Sequence, residues 1–87
     1  MKACFMGLGY IGLPTAIIAA QNNIDVVGVD INPQVVDTIN KGKIHIIEPG
    51  LQDLCKEVVL RRKLRATLIP EISDTYLIVV PTPFKGD

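Results

Sequence analysis

Residues 7–12 read Gly7-Leu8-Gly9-Tyr10-Ile11-Gly12, a G-x-G-x-x-G motif between an apolar run and a segment with helical periodicity. Each glycine has its own use in such a loop. Gly7 permits a tight turn from strand to helix, Gly9 lets the backbone approach a diphosphate, and Gly12 lets the helix pack close to the strand. The amides and the dipole at the start of the helix favour a bound anion. The loop therefore predicts a dinucleotide-binding βα unit.

Hydrophobic patterns on both sides of this loop predict alternating strands and helices. Strands are expected over 2–6, 24–29, 64–68 and 76–80, helices over 11–21, 33–42 and 51–59, and loops over 43–50, 69–73 and 81–87. The order βαβααββ, with strands that are apolar on both faces, is typical of an α/β fold with a parallel sheet. Right-handed crossovers then predict the strand order 3-2-1-4, the N-terminal half of a doubly wound (Rossmann) sheet that is incomplete.

The composition indicates one small globular core without a strong charge. The 87 residues are 48% hydrophobic and carry nine basic and nine acidic side chains, which argues against a nucleic-acid partner. No apolar run has the 18 residues that a membrane span needs, so no membrane partner is expected. Cys4 and Cys55 lie far apart with no metal-ligand spacing, so we expect no metal site, two buried free thiols and a cytoplasmic location.

The position of one acidic residue strengthens the dinucleotide prediction. Asp30 follows the second strand, close to the spacing expected for the acid that binds the adenosine ribose. A carboxylate there accepts hydrogen bonds from the ribose hydroxyls and repels a 2′-phosphate, which favours NAD over NADP. Other interpretations remain open: the glycines could serve only a tight turn, and Asp30 could cap the next helix. Domains that bind FAD or S-adenosylmethionine share parts of the pattern.

Four separate motifs resemble those of one enzyme family. They are G-L-G-Y-I-G-L-P at 7–14, V-D-I-N-P at 29–33, E-P-G-L at 48–51 and V-P-T-P at 80–83. Together they are similar to the UDP-glucose/GDP-mannose dehydrogenase family of NAD-dependent nucleotide-sugar 6-dehydrogenases, and the resemblance covers the whole chain. Within that family, residues 44–49 and 80–87 most resemble the UDP-N-acetyl-D-mannosamine dehydrogenases.

The resemblance implies NAD as the cofactor and a set of residues that would contact it. Tyr10 and Ile11 match the loop residues whose backbone meets the pyrophosphate, Asp30 matches the ribose acid, and Thr82 matches a threonine near the dinucleotide. Many members of the family carry a basic residue where this chain has Val35. A valine can pack against adenine but cannot bind charge, which again fits NAD better than NADP.

The resemblance also implies a reaction for which this chain carries no matching catalytic residue. The family oxidises the C6 alcohol of a UDP-sugar to the carboxylate with two NAD, through a cysteine in its later domains. Neither Cys4 nor Cys55 matches that cysteine, so no catalytic residue is assigned. We therefore expect residues 1–87 to be a partial NAD-binding Rossmann domain. Its full-length parent would oxidise UDP-N-acetyl-D-mannosamine or a related UDP-sugar. The short chain is expected to be truncated, inactive alone, and either homodimeric or dependent on the missing part.

Two loops of the chain, 43–50 and 69–73, allow further predictions. His45 is expected to be structural or solvent-facing, and Glu48 to cap the helix that begins near Gly50. The connector 69–73 is expected to be too short to cover the second face of the sheet, which would leave 76–80 as an exposed apolar edge. Two other functions stay open: a dehydrogenase of the 6-phosphogluconate or hydroxyisobutyrate type, and a non-catalytic nucleotide-binding or remnant module.

Overall fold

Four strands and three helices make up residues 1–79, the part of the chain that the computed structural model describes. The elements are β1 (Lys2–Met6), α1 (Gly12–Gln21), β2 (Asp25–Val29), α2 (Pro33–Asn40), α3 (Leu51–Leu60), β3 (Leu64–Thr67) and β4 (Thr75–Ile78). This order confirms the predicted βαβααββ arrangement. The predictions for residues 80–87, including the loop 81–87, lie outside the described residues.

All strand pairs in the described sheet are parallel, in the order β3-β2-β1-β4. Cys4 in the central strand β1 pairs with Val27 of β2 on one side and with Tyr76 of β4 on the other. The predicted strand order 3-2-1-4 is therefore confirmed. Right-handed crossovers carry all three helices to one face of such a sheet.

Helices α2 and α3 begin in different ways. Asn32 caps α2, because its side-chain oxygen accepts a hydrogen bond of 2.9 Å from the Gln34 amide. At α3 the cap residue is Gly50, in the left-handed conformation at φ 80°, and no side chain caps it. The prediction for Glu48 was wrong because the turn at Gly50 brings the main-chain carbonyl of Glu48 to the Leu51 amide at 3.1 Å. The Glu48 carboxylate does not cap α3.

The main core lies between the sheet and the helices. It joins inward residues of β1, β2 and β3 to one side of each helix, and its most deeply buried members include Leu8, Leu13, Ile17, Ile39, Cys55, Val58 and Leu64. At the outer edge of the sheet, the Asn40 side chain donates to the Ala66 carbonyl at 2.9 Å and accepts from the Ala66 amide at 2.8 Å. Asn40 thus satisfies the backbone amide and carbonyl of Ala66 at the open edge of β3, as a neighbouring strand would.

The second face of the sheet is partly covered. Cys4 and Val27 are buried there, although the connector between β3 and β4 had been expected to be too short to reach them. That prediction was wrong where Cys4 and Val27 lie, since both are buried. Glu71 of the connector accepts hydrogen bonds from Lys2, at 2.9 Å, and from Arg65. These three side chains hold the connector across the sheet.

Beyond the connector, the edge strand β4 leaves apolar side chains open to solvent. Tyr76 is 49% and Ile78 72% exposed. Both lie on the second face, since they pair with Cys4 and Met6 in the register. The predicted exposed apolar edge is therefore confirmed for the described part of β4.

Acid is expected to weaken the connector contact through Glu71. Hydrogen bonds from Arg65 and Lys2 lower the pKa of Glu71 from 4.5 to about 2. Because the folded pKa lies below the unfolded one, the stabilisation is complete above pH 4.5 and is lost as pH falls through about 2. Urea unfolding of wild type and Glu71→Gln should therefore differ most at neutral pH and converge near pH 2.

The matched control is Glu57→Gln, which removes a carboxylate from an exposed pair with Arg61 at 3.7 Å. Such exposed pairs contribute little, so this variant should follow wild type at each pH. A difference between wild type and Glu71→Gln that stays constant from neutral to acid pH would contradict the assignment.

Candidate dinucleotide-binding site

Two glycines of the loop are required by the local backbone. Gly7 has φ 108°, and a Cβ there would lie 1.8 Å from the carbonyl oxygen of Val79. A Cβ at Gly12 would lie 1.9 Å from the carbonyl oxygen of Gly7. The Gly7 amide also donates to the Val29 carbonyl at 2.8 Å, which ties the turn to β2. These contacts agree with the tight turn and the close helix packing predicted for the two positions.

The middle glycine lies beside open space. Apart from its chain neighbours, no atom in residues 1–79 lies within 4 Å of the position that a Cβ at Gly9 would take. Gly9 is exposed, and its carbonyl accepts the Leu13 amide at 3.0 Å, so the loop leads straight into the helix. A glycine with neither a positive φ nor a close neighbour keeps a space free, and this space is open to an outside group.

The start of α1 has the features of an anion site. Among the described residues, no side chain caps the helix, and its first turn carries no acidic residue. Tyr10 and Ile11 precede it and are each 69% exposed. The hydroxyl of Thr15 donates back to the Ile11 carbonyl at 2.8 Å, so it does not occupy the amides of the first turn. Those amides and the helix dipole suit a negatively charged group.

Asp30 connects the glycine loop to the end of β2. One carboxylate oxygen accepts the Leu8 amide at 3.2 Å and the other accepts the Asn32 amide at 3.0 Å. The alternative that Asp30 caps α2 is not supported, because Asn32 fills that place. An ionised carboxylate has about four acceptor positions, so Asp30 retains capacity for two further donors.

A cleft opens beside Asp30 at the carboxyl ends of three strands. It has a volume of about 350 Å³ and is lined by Met6, Gly7, Val29, Asp30, Ile31, Ile78 and Val79. Among these residues, Asp30 alone carries a charge. Ligands of open parallel sheets bind outside the carboxyl ends of the strands, and binding clefts are mostly apolar with few polar groups. The cleft therefore lies where a nucleotide is expected.

Comparison with known proteins identifies the family. The NAD-binding domain of the UDP-glucose/GDP-mannose dehydrogenase family matches residues 1–87. The chain belongs to this family. The match sets aside the FAD, S-adenosylmethionine and 6-phosphogluconate alternatives and confirms NAD as the cofactor of the domain.

Three individual relatives support the family assignment. The UDP-N-acetyl-D-mannosamine dehydrogenase of Campylobacter jejuni is 62% identical over 86 residues, which are 99% of this chain and 21% of the relative. An NDP-N-acetyl-D-galactosaminuronic acid dehydrogenase of Ralstonia nicotianae is 57% identical over 79 residues, 91% of this chain and 19% of the relative. The native structure of the UDP-N-acetyl-mannosamine dehydrogenase from Staphylococcus aureus matches with TM-score 0.94 and 49% identity, covering 100% of this chain and 21% of that one. The chain thus spans about a fifth of the length of its relatives.

Of the predicted cofactor residues within residues 1–79, Gly7 and Asp30 line the cleft, and the others do not. Val35 is half-buried on the inner side of α2, where it packs against the main core, so its contact with adenine stays a prediction. Thr82 lies outside the described residues. His45 is exposed, as expected for a solvent-facing loop residue.

The cysteines are placed as expected for structural thiols. Cys4 and Cys55 are both free and buried. The Cys55 thiol donates to the Lys43 carbonyl at 3.7 Å, and burial raises its pKa from 9.0 to about 11. A thiol with so high a pKa is a poor nucleophile at neutral pH. Residues 1–79 contain no group of His, Cys, Asp and Glu side chains suited to a metal, and none of their helices could cross a membrane.

Two residues that shape the loop, Leu8 and Gly28, were not predicted from the sequence. Leu8 is only 1% exposed although it lies between two loop glycines, and its side chain covers Gly28 in β2. The available signal was the glycine itself, since a glycine inside a strand often marks a close approach by another part of the protein.

Proposed function

We propose that residues 1–87 are a partial Rossmann domain that binds NAD in a nucleotide-sugar 6-dehydrogenase. The observation that carries the proposal is the open space at Gly9, in a loop that Asp30 holds through the Leu8 amide and that leads into the uncapped start of α1. A diphosphate needs a backbone without side chains and amides that face it. An adenosine ribose needs an acceptor for two hydroxyls.

The loop residues would bind the pyrophosphate through their backbone. Gly9, Tyr10 and Ile11 precede the first turn of α1, and the exposure of Tyr10 and Ile11 leaves the approach open. Gly7 and Gly12 would support this arrangement by keeping the turn and the helix close to β1. Charge-assisted hydrogen bonds to phosphate oxygens, together with the helix dipole, would then fix the dinucleotide without any cationic side chain.

Asp30 would bind the ribose and select the cofactor. Its two free acceptor positions suit the 2′- and 3′-hydroxyls, whereas a 2′-phosphate would meet the negative carboxylate. By resemblance to the family motif, Thr82 is assigned a place near the dinucleotide. Val35 is assigned an adenine contact on the same basis, and its position on the inner side of α2 would have to change for that contact.

The parent enzyme is proposed to oxidise UDP-N-acetyl-D-mannosamine, or a related UDP-sugar, to the uronate with two NAD. Bound NAD would accept the hydride. The names of the relatives support a nucleotide sugar as substrate, but two names with different sugars occur at similar identity. This part of the protein would therefore supply cofactor binding, and residues outside it would choose the sugar and carry the chemistry.

Two further assignments belong to the same proposal. Exposed Tyr76 and Ile78 support pairing of β4 with another strand in the working protein, from a second copy or another part of the protein. The two buried free cysteines support a reducing compartment, which we take to be the cytoplasm.

The test is a calorimetric titration of the purified protein with NAD and, in parallel, with NADP. We expect saturable binding of NAD and weaker binding of NADP. Asp30→Ala should weaken NAD binding at least about 10-fold, or about 1.4 kcal/mol, because it removes the ribose acceptor and one anchor of the loop.

The control is Asp37→Ala, which removes an exposed carboxylate paired with Lys41 on α2. It should bind NAD like wild type, because exposed pairs of this kind contribute little. A folded wild-type protein that does not bind NAD would overturn the proposed function. Equal affinity for NAD and NADP would overturn the role of Asp30.

A further inference from the structure

The side chain of Leu8, the second residue of the glycine loop, lies on Gly28 near the end of β2. Leu8 is buried, and a Cβ at Gly28 would lie 2.8 Å from both Leu8 Cδ1 and Cδ2 and 3.3 Å from Cγ. Real Cβ atoms essentially never lie within 3.0 Å of such neighbours, so the present position of Leu8 requires a residue without a side chain at 28.

The backbone gives no other reason for a glycine at this position. Gly28 lies within β2, where it pairs with Phe5 and Ala66 in the two neighbouring strands. Its φ is not in the positive range that favours glycine. Glycine weakens the interior of a strand, because it has no side chain to pack and loses more conformational freedom on folding. The space for Leu8 therefore explains Gly28.

Leu8 is also held in place through its main chain. The Leu8 amide donates to Asp30 at 3.2 Å, and the neighbouring Gly7 amide donates to the Val29 carbonyl at 2.8 Å. Three contacts thus bring this side of the loop onto the end of β2, and only the contact with Gly28 is made by an apolar side chain. Gly9 follows directly after Leu8.

We infer that Gly28 and Leu8 are positioning residues that set the height of the glycine loop above β2, and with it the place of Gly9 against the cofactor diphosphate. The inference rests on the proposed function. The buried Leu8 side chain would not touch NAD, and Gly28 has no side chain. A methyl group at position 28 would push the methyl groups of Leu8 away from the sheet, and the loop would move with them. The ends of a leucine side chain can shift, so the fold should survive.

The experiment compares NAD affinity and thermal stability for wild type, Gly28→Ala, Leu8→Val and the double variant. Gly28→Ala should bind NAD about 10-fold more weakly while its melting temperature changes by only a few degrees. The double variant adds one carbon at position 28 and removes one at position 8, so the total volume is conserved. Its NAD affinity should return to within about 3-fold of wild type.

A second readout does not depend on the cofactor. In the NAD-free protein, the backbone amide resonances of Gly9 and Tyr10 should shift in Gly28→Ala and return toward their wild-type positions in the double variant. A residue that only stabilises the fold would not produce this reversal.

The outcomes separate this inference from the proposed function. If wild type binds NAD and folded Gly28→Ala binds it equally well, the inference is overturned and the proposed function stands. If wild type does not bind NAD, the proposed function is overturned and the inference with it. Should Gly28→Ala fail to fold, the double variant is compared with Leu8→Val: tighter NAD binding by the double variant supports the inference, and equal or weaker binding overturns it.

Discussion

Gly12→Ala is expected to destabilise the native fold severely. The added Cβ would lie 1.9 Å from the carbonyl oxygen of Gly7 and 3.0 Å from its carbonyl carbon. Backbone atoms cannot move aside as a flexible side chain can, because Gly7 is itself tied to β2 by its amide. We expect a loss of about 4 kcal/mol or more, at the extreme of single substitutions. Proteins have a total stability of about 5–15 kcal/mol, so a large part of it would be lost.

Urea unfolding followed by circular dichroism measures this effect. The matched control is Gly9→Ala, the same exchange three residues earlier in the loop, where no described atom other than the chain neighbours lies within 4 Å of the new Cβ. It should unfold within about 1 kcal/mol of wild type. A cooperative transition of Gly12→Ala at the wild-type urea concentration would show that α1 does not pack on the loop as described.

The second large effect concerns binding. Gly9→Ala should fold normally and lose NAD affinity by roughly 100-fold, or about 2.7 kcal/mol. Its Cβ would enter the space proposed for the diphosphate and keep the phosphate oxygens away from the loop amides. A hydrogen bond to a charged group contributes about 1.5–3 kcal/mol, so losing one or two accounts for the expected change.

Calorimetric titration of wild type and Gly9→Ala with NAD and with ADP-ribose provides the measurement. Both ligands contain the diphosphate, so both should lose affinity to a similar extent. NAD affinity that is unchanged in a folded Gly9→Ala protein would place the diphosphate elsewhere and remove the main support for the proposed site.

The local elements were predictable because their signals lie within short segments. The apolar run before Gly7 marks β1, Asn32 and Pro33 mark the start of α2, and Gly50 marks the start of α3. The strand order was also predictable, since parallel crossovers are almost always right-handed. The glycine spacing pointed to the dinucleotide site because a loop of six residues carries it, and Asp30 supported the prediction by its place after the second strand.

Contacts between distant segments were not predicted from the sequence. The bridge from Glu71 to Lys2 and Arg65, which covers part of the second sheet face, joins residues from the connector, β1 and β3. Val35 lies at the expected distance from Asp30 in sequence, but the amphipathic face of α2 turns it toward the core.

The sequence by itself determined the α/β class, the strand order, the family and the cofactor, because these depend on local periodicity and on motifs within a few residues. The glycine motif predicted the separate uses of Gly9 and Gly12, and the backbone distances agree with them. Only the tertiary structure decided which residues of distant segments meet, such as Glu71 with Lys2 and Arg65. The role of Gly28 depends likewise on where Leu8 lies. Distances between segments that meet only on folding set these contacts, and no pattern along the chain encodes them.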